Sequence, residues 1–116
     1  MKASQVDKVV EPFVQRGLFE TTESAVRGLA QNYILRQIAR YQETIDDLER
    51  KYGMDYDQFN QYLKQRAALL QSTGVSSEQR QSLNQAVMLE EEDALEWKIA
   101  REMLQSWLGL KGEVES

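Results

Sequence analysis

The chain has 116 residues, 41% of them hydrophobic, which suits one folded domain or a small domain with an interaction arm. It contains no His and no Cys, which excludes disulfides and cysteine zinc sites and removes the commonest general base and transition-metal ligand. We therefore expect a protein that is not an enzyme and that binds no cofactor or metal. The formal net charge is −5, opposite in sign to that of most nucleic-acid-binding domains.

The alternation of polar and apolar residues that is typical of strands is absent, so we predict an all-α fold. Its base is a helix, a turn and a long helix, followed by two or three further amphipathic helices in a dimeric protein. The first helix is predicted from Ser4 to Arg16, with Pro12 either bending it or delaying its start to about Glu11. Gly17 favours a left-handed cap, and Thr21 or Thr22 then caps the next helix.

The second helix is predicted from Thr22 to Tyr52 and would be about 46 Å long. Its apolar residues follow a coiled-coil spacing of four and three along the seam Ile34, Ile38, Tyr41, Ile45, Leu48 and Tyr52. So long a helix needs a partner, either a later helix of the same chain or a second copy. Gly53 is expected to end it.

The second half of the chain contains three further helical segments. Asp55 caps a helix predicted from Tyr56 to Gln71, and Ser76 with Gln79 forms a capping box before a helix over about 77–89. A last helix is expected over about 94–108, ended by Gly109 and followed by a frayed tail over 111–116. Periodicity leaves open whether the last two helices are one, running through the acidic run Glu90–Asp93.

Charge is distributed unequally along the chain. Residues 1–52 carry eight cations and eight acids, whereas residues 53–116 carry six cations and eleven acids, a net charge of −5. We therefore predict a helical dimerisation region over 1–52 and an acidic, helical partner-binding region over 53–116, with a basic protein as the partner. The N-terminus lacks the apolar segment of a signal peptide and no stretch suits a membrane helix, so a cytoplasmic protein is expected.

Residues 6–30 resemble the helix pair of ribbon-helix-helix antitoxins of bacterial type II toxin–antitoxin systems. The similarity lies in the apolar stripe of the first helix, the turn Gly17-Leu18-Phe19, the Thr-rich start of the next helix and the run Ala25-Val26-Arg27. Only Met1 to Gln5 precede the apolar stripe of the first helix, where the family has a basic strand that enters DNA. The resemblance implies a dimer that occludes a toxin encoded nearby, with co-repressor activity at its own promoter. The alternatives are a helical adaptor or oligomerisation module without a toxin partner, and a repressor that binds DNA directly.

The last helix has two apolar faces, which is typical either of a core helix or of a helix that inserts into a groove on a partner. The resemblance favours the second interpretation, since antitoxins commonly neutralise toxins with a C-terminal amphipathic arm. The predicted partner-binding residues are Glu90, Glu91, Glu92, Asp93, Trp97, Met103, Leu104, Trp107 and Leu108. The alternative for the acidic run is a solvated turn.

Two further sets of residues are assigned from the sequence. The predicted dimerisation residues are Phe13, Phe19, Val26, Leu29, Tyr33, Ile34, Ile38, Tyr41, Ile45 and Leu48. A second prediction assigns nucleic-acid contacts to Lys2, Arg27, Arg36 and Arg40. Because acids lie among these cations, a solvated face is the alternative.

Overall fold

A computed structural model describes residues 2–72 and 74–115, without the side chains of residues 2–4. These residues form four helices, α1 (Lys2–Gln15), α2 (Thr22–Tyr52), α3 (Tyr56–Leu70) and α4 (Ser77–Glu115). The described part of the chain contains no strand, so the predicted all-α fold is confirmed. It also contains no helix that is long and apolar enough to cross a membrane.

The first helix begins well before Pro12. It begins at Lys2 and continues through Pro12, so a start near Glu11 is excluded. It ends in a Schellman motif, in which the N–H of Leu18 donates to the Phe13 carbonyl and the N–H of Gly17 to the Val14 carbonyl, both at 3.0 Å. Gly17 adopts the φ of +75° that this motif requires.

The second helix has the predicted bounds, and both of its ends are set locally. The N–H of Ser24 donates to Thr21 Oγ1 at 3.0 Å, and the N–H of Thr21 donates to Ser24 Oγ at 3.1 Å. This reciprocal pair caps the helix at Thr21. At the other end Gly53 has a φ of +64°, a left-handed conformation that glycine adopts at little cost because it has no Cβ.

Capping boxes begin the last two helices, at the cap residues Asp55 and Ser76 that the sequence predicts. Asp55 and Gln58 exchange hydrogen bonds of 2.8 and 2.9 Å before α3, and Ser76 and Gln79 exchange two of 3.2 Å before α4. The third helix ends at Leu70, one residue before the predicted end.

A single helix α4 covers the two segments whose continuity the sequence left open. It runs through Glu90–Asp93 and beyond Gly109 to Glu115, so the predicted stop at Gly109 and frayed tail over 111–115 are wrong. A glycine costs a helix about 1 kcal/mol, and α4 makes side-chain contacts on both sides of Gly109. Trp107 packs on Tyr33, with ring centroids 5.8 Å apart, and Lys111 pairs with Glu115 at 2.7 Å. Ser116 lies outside the described residues.

Packing divides the chain into two units. Unit 1 comprises residues 1–39 and 107–116, and unit 2 comprises residues 40–106. Each unit has its own buried apolar residues: Val10, Ala25 and Ile34 in unit 1, and Ile45, Leu48, Phe59, Val87, Trp97 and Ala100 in unit 2. This division differs from the predicted boundary at residues 52 and 53, because α2 and α4 each contribute residues to both units.

Phe19 packs closely on α2 within unit 1. A Cβ added to Gly28 would lie 2.5 Å from Phe19 Cε1, so the absence of a side chain at Gly28 admits the ring. In the Gly17–Phe19 turn, Gly17 therefore provides the backbone conformation and Phe19 packs against α2.

Candidate protein-binding surface

The core of unit 2 is aromatic, and α4 supplies its central residue. Trp97 is fully buried, as is Phe59, and their rings stack with centroids 5.4 Å apart. Tyr52 also packs on Phe59, with ring centroids 4.2 Å apart. Trp97, predicted as a partner anchor, thus lies in the core, where its indole cannot touch a second protein while the unit stays folded.

The acidic run of α4 divides into an inward and an outward half. Glu90 points inward and is only 8% exposed, and its Oε1 accepts hydrogen bonds from Arg66 Nη2 at 2.7 Å and from Arg66 Nε at 3.2 Å. Burial, followed by the hydrogen bond with Glu90, raises the pKa of the neighbouring Tyr62. This carboxylate therefore joins α3 to α4.

Asp93 joins α2 to α4 in a similar way. Its Oδ2 accepts hydrogen bonds from Lys51 Nζ at 2.6 Å and from the Tyr52 hydroxyl. Burial alone would raise the pKa of Asp93, but these two hydrogen bonds outweigh it and hold that pKa below its usual value. Burial and the adjacent carboxylate of Asp93 raise the pKa of Tyr52.

Glu91 and Glu92 point outward and are exposed. The difference follows from helix geometry, because residues three or four apart share one face. The spacing Val87, Glu90, Ala94, Trp97 is three, four and three, which places Glu90 on the buried side. Tracing this spacing backwards from Trp97 would have identified Glu90 as an inward residue from the sequence alone.

The outer side of α4 carries exposed apolar residues that belong to none of the predicted sets of site residues. Met88 and Leu95 are each 58% exposed and Ile99 is 47% exposed. Their spacing of seven and four places them on one helix face, which we call the apolar stripe. Exposed glutamates border it: Glu91, Glu92, Glu96 and Glu102.

A groove of about 370 Å³ lies between this side of α4 and α2, within unit 2. We call it the α2–α4 groove. Its lining residues are Arg40, Tyr41 and Thr44 of α2 and Glu92, Leu95, Glu96, Ile99 and Ala100 of α4. The Arg40 guanidinium carbon lies 5.4 Å from the centre of the Tyr41 ring. The groove thus has an apolar interior with carboxylates on its α4 side.

The predicted dimerisation seam is covered by helices of the same chain at three of its positions. Ile45 and Leu48 belong to the unit 2 core, and Ile34 is buried in unit 1. The sequence left open whether this seam packs within or between chains, and at these positions it packs within. The half-buried members of the predicted set are Phe13, Phe19, Leu29, Ile38 and Tyr41, and Val26 and Tyr33 are exposed.

The remaining predicted partner-binding residues fall into both units. Met103 and Leu104 are half-buried in unit 2, and Leu104 packs against its core. Trp107 of unit 1 is half-buried against Tyr33, and its indole nitrogen is buried without a hydrogen-bond partner. Leu108 is exposed.

The cations predicted for nucleic acid fall in both units, Arg27 and Arg36 in unit 1 and Arg40 in unit 2. Arg27 pairs with Glu23 at 3.7 Å, Arg36 is exposed, and Arg40 lines the groove of the other unit. The Lys2 side chain lies outside the described residues. Over residues 2–72 and 74–115, no group of three or more acidic side chains is arranged to hold a metal ion.

Searches against protein-family models, curated proteins and solved structures find no match to this chain.

Proposed function

We propose that the protein is a non-catalytic, antitoxin-like binding protein that occludes a basic protein partner through unit 2. The observation that carries this proposal is the apolar stripe Met88, Leu95 and Ile99 with its border of exposed glutamates. Apolar side chains that share one exposed helix face are typical of protein interfaces. The glutamates favour a partner of opposite charge, because complementary charges speed association and select the partner.

The form of α4 determines how occlusion works. The helix places Trp97 and Ala100 in the core of unit 2, so its outer face is presented by a folded body. A free C-terminal arm is therefore not required. A preformed surface loses little conformational entropy when it binds, and stoichiometric coverage of the partner's active surface suffices for inhibition.

Unit 1 has a different charge and a different proposed role, self-association. Residues 1–39 and 107–116 carry six cations and six acids, so the unit has no net charge, and the whole −5 lies in unit 2. Unit 1 also exposes several large apolar residues, namely Val6, Val9, Leu18, Val26, Tyr33, Leu35, Leu108 and Leu110. A neutral surface of this kind allows two copies to meet without electrostatic repulsion.

The resemblance of residues 6–30 to antitoxin helix pairs supports a bacterial toxin encoded by a neighbouring gene as the partner. The experiment co-expresses the protein with that gene product and measures their affinity by titration calorimetry. We expect one partner molecule to bind each chain. The double substitution Leu95→Gln with Ile99→Gln should weaken this binding by about 100-fold, because two interface apolar contacts of about 1–2 kcal/mol each are lost.

The matched control is Leu69→Gln, which alters an exposed leucine of α3 outside the stripe and should bind like the wild type. A neighbouring product that does not bind, or a double variant that binds as tightly as the control, overturns the proposal. A gel shift with the gene's own promoter, with and without the partner, tests the co-repressor role.

A further inference from the structure

We infer that the α2–α4 groove receives an amphipathic helix of the partner, with apolar residues on its inner face and Lys or Arg along the edge that meets α4. This inference rests on the proposed function and specifies how the partner binds. It concerns residues of α2 that the stripe alone does not involve, namely Arg40, Tyr41 and Thr44.

The groove has the length and direction that a helix requires. Its α4 side extends from Glu92 to Ala100, eight residue steps or about 12 Å, slightly more than two helical turns. Within unit 2, α2 and α4 run antiparallel, since Lys51 pairs with Asp93 while Tyr41 lines the groove with Ala100. A third helix packs readily into the furrow between two such helices.

The lining of the groove calls for apolar side chains on the occupant. Ala100 is buried and Tyr41 half-buried, whereas Leu95 and Ile99 stay exposed on the outer wall. Apolar residues of a helix at positions i, i+4 and i+7 would cover that wall over two turns. The apolar area removed from water would supply most of the affinity.

The charges beside the groove select the kind of occupant. Glu92 and Glu96 line its α4 side, and Glu91 and Glu102 lie exposed further round the same helix. A phosphate backbone would be repelled there, and a second copy of α4 would place its glutamates against these. A basic helix avoids both conflicts. Arg40, the one cation among the residues that line the groove, favours an acid at the opposite edge of the occupant.

A designed peptide tests the inference on the full chain. The probe is a helix of about 14 residues, four turns, with Leu at positions 1, 5, 8 and 12 counted from its start, and Lys along one edge. The matched peptide replaces each Lys with Glu. Binding is measured by calorimetry, and the contact is located by NMR of Leu, Ile and Thr methyl groups.

We expect the Lys peptide to shift the methyl resonances of Thr44, Leu95 and Ile99 but not those of Leu69. Its affinity should fall by about tenfold between low and physiological salt, because exposed charges are screened. The Glu peptide should bind at least tenfold more weakly than the Lys peptide, since like charges then face each other.

Two variants distinguish this inference from the proposed function. Thr44→Trp fills the groove from α2 and leaves the stripe intact, and Leu95→Gln alters the stripe itself, with the exposed Leu89→Gln as its matched control on the same helix. If the groove is the site, Thr44→Trp and Leu95→Gln each weaken both the peptide and the natural partner by tenfold or more, while Leu89→Gln does not.

If Leu95→Gln weakens the partner and Thr44→Trp does not, the partner lies on the stripe, the groove inference fails and the proposed function stands. If neither variant changes partner binding, both are overturned. Circular dichroism and urea unfolding test whether each variant keeps the fold. Thr44→Ala, which changes the same residue without filling the groove, is the control for Thr44→Trp.

Discussion

At the residue scale, the inward carboxylates of α4 explain how an acidic run is tolerated inside a helix that also forms a core. Glu90 is almost completely buried, and a buried charge is costly unless it is paired and hydrogen-bonded. The two hydrogen bonds from Arg66 meet that requirement. The Arg66–Glu90 pair thus offsets the cost of burying Glu90 more than it adds stability to the fold.

We expect Glu90→Gln to lower the free energy of unfolding by about 1–3 kcal/mol, because Arg66 loses a charged hydrogen-bond partner in a partly buried position. Urea unfolding followed by circular dichroism measures the change. The control is Glu91→Gln at the adjacent exposed position, where we expect a change within about 0.5 kcal/mol. Equal effects of the two substitutions would contradict the inward placement of Glu90.

The pKa values of Asp93 and Tyr52 define opposite ends of a pH window. The pKa of Asp93 is lowered on folding, so its contribution to stability is present above the unfolded value of about 3.9 and is lost as pH falls through the lower folded value. The pKa of Tyr52 is raised, so its contribution is complete below about pH 10 and is lost as pH rises through the higher folded value.

Tyr52→Phe should therefore make the alkaline loss of stability less steep. At neutral pH it should cost about 1 kcal/mol, since the hydrogen bond to Asp93 is removed. Urea midpoints measured from pH 8 upward for both proteins test this. Tyr33→Phe, at an exposed tyrosine outside this contact, is the matched control. An unchanged slope in Tyr52→Phe would exclude Tyr52 as a source of the alkaline dependence.

At the scale of the elements, the starts of α2, α3 and α4 were predictable, whereas the continuity of α4 was not. Thr21, Asp55 and Ser76 each cap a helix through side chains within three residues, so the signal is local and present in the sequence. Where α4 passes through Glu90–Asp93, its inward carboxylates are paired instead with Arg66 and Lys51, which come from other helices. No local pattern contains those contacts.

The candidate site was predictable only in part, for the same reason. An acidic, apolar last helix was visible in the sequence, but which of its faces is free depends on where α2 and α3 pack. Trp97 was assigned to a partner because indoles are common at interfaces, and the aromatic core that encloses it is assembled from Phe59 and Tyr52 of distant segments. The groove likewise needs Tyr41 and Thr44 of α2.

Two glycines allow backbone conformation to be separated from packing. Gly53 has a positive φ and Gly109 lies inside α4, and a Cβ would meet nothing within 4 Å at either position. We expect Gly53→Ala to destabilise the protein by about 1 kcal/mol because a left-handed residue acquires a Cβ. Gly109→Ala should stabilise it by about 0.5–1 kcal/mol because alanine favours the helix. Thermal unfolding measures both, and a destabilising Gly109→Ala would contradict the helical course of α4 at Gly109.

At the scale of the whole molecule, the two units differ in charge and in the apolar side chains that they expose. Unit 1 has no net charge and has several exposed apolar residues, whereas unit 2 carries the net −5 and the acid-bordered stripe. This separation allows one chain to associate with itself and with a basic protein through different surfaces, because a neutral surface and an acidic surface attract different partners.

Self-association through unit 1 should respond to Val9, which is 70% exposed on α1. We expect Val9→Gln to weaken the dimer by about tenfold, since an apolar contact of about 1.4 kcal/mol is lost. Sedimentation equilibrium over a range of concentrations measures the effect. Leu69→Gln in unit 2 should leave the dimer unchanged. A wild-type chain that stays monomeric at high concentration would exclude this role of unit 1.

The two indoles of the chain fall one in each unit, Trp107 in unit 1 and Trp97 in unit 2. Because Trp97 is completely enclosed, its emission should lie further to the blue than that of the half-buried Trp107. The molecule thus carries a separate optical reporter in each unit, and Trp107→Phe isolates the signal of the aromatic core. Coincident transitions of the two signals would mark a single cooperative fold, and an earlier red shift of one would identify the unit that opens first.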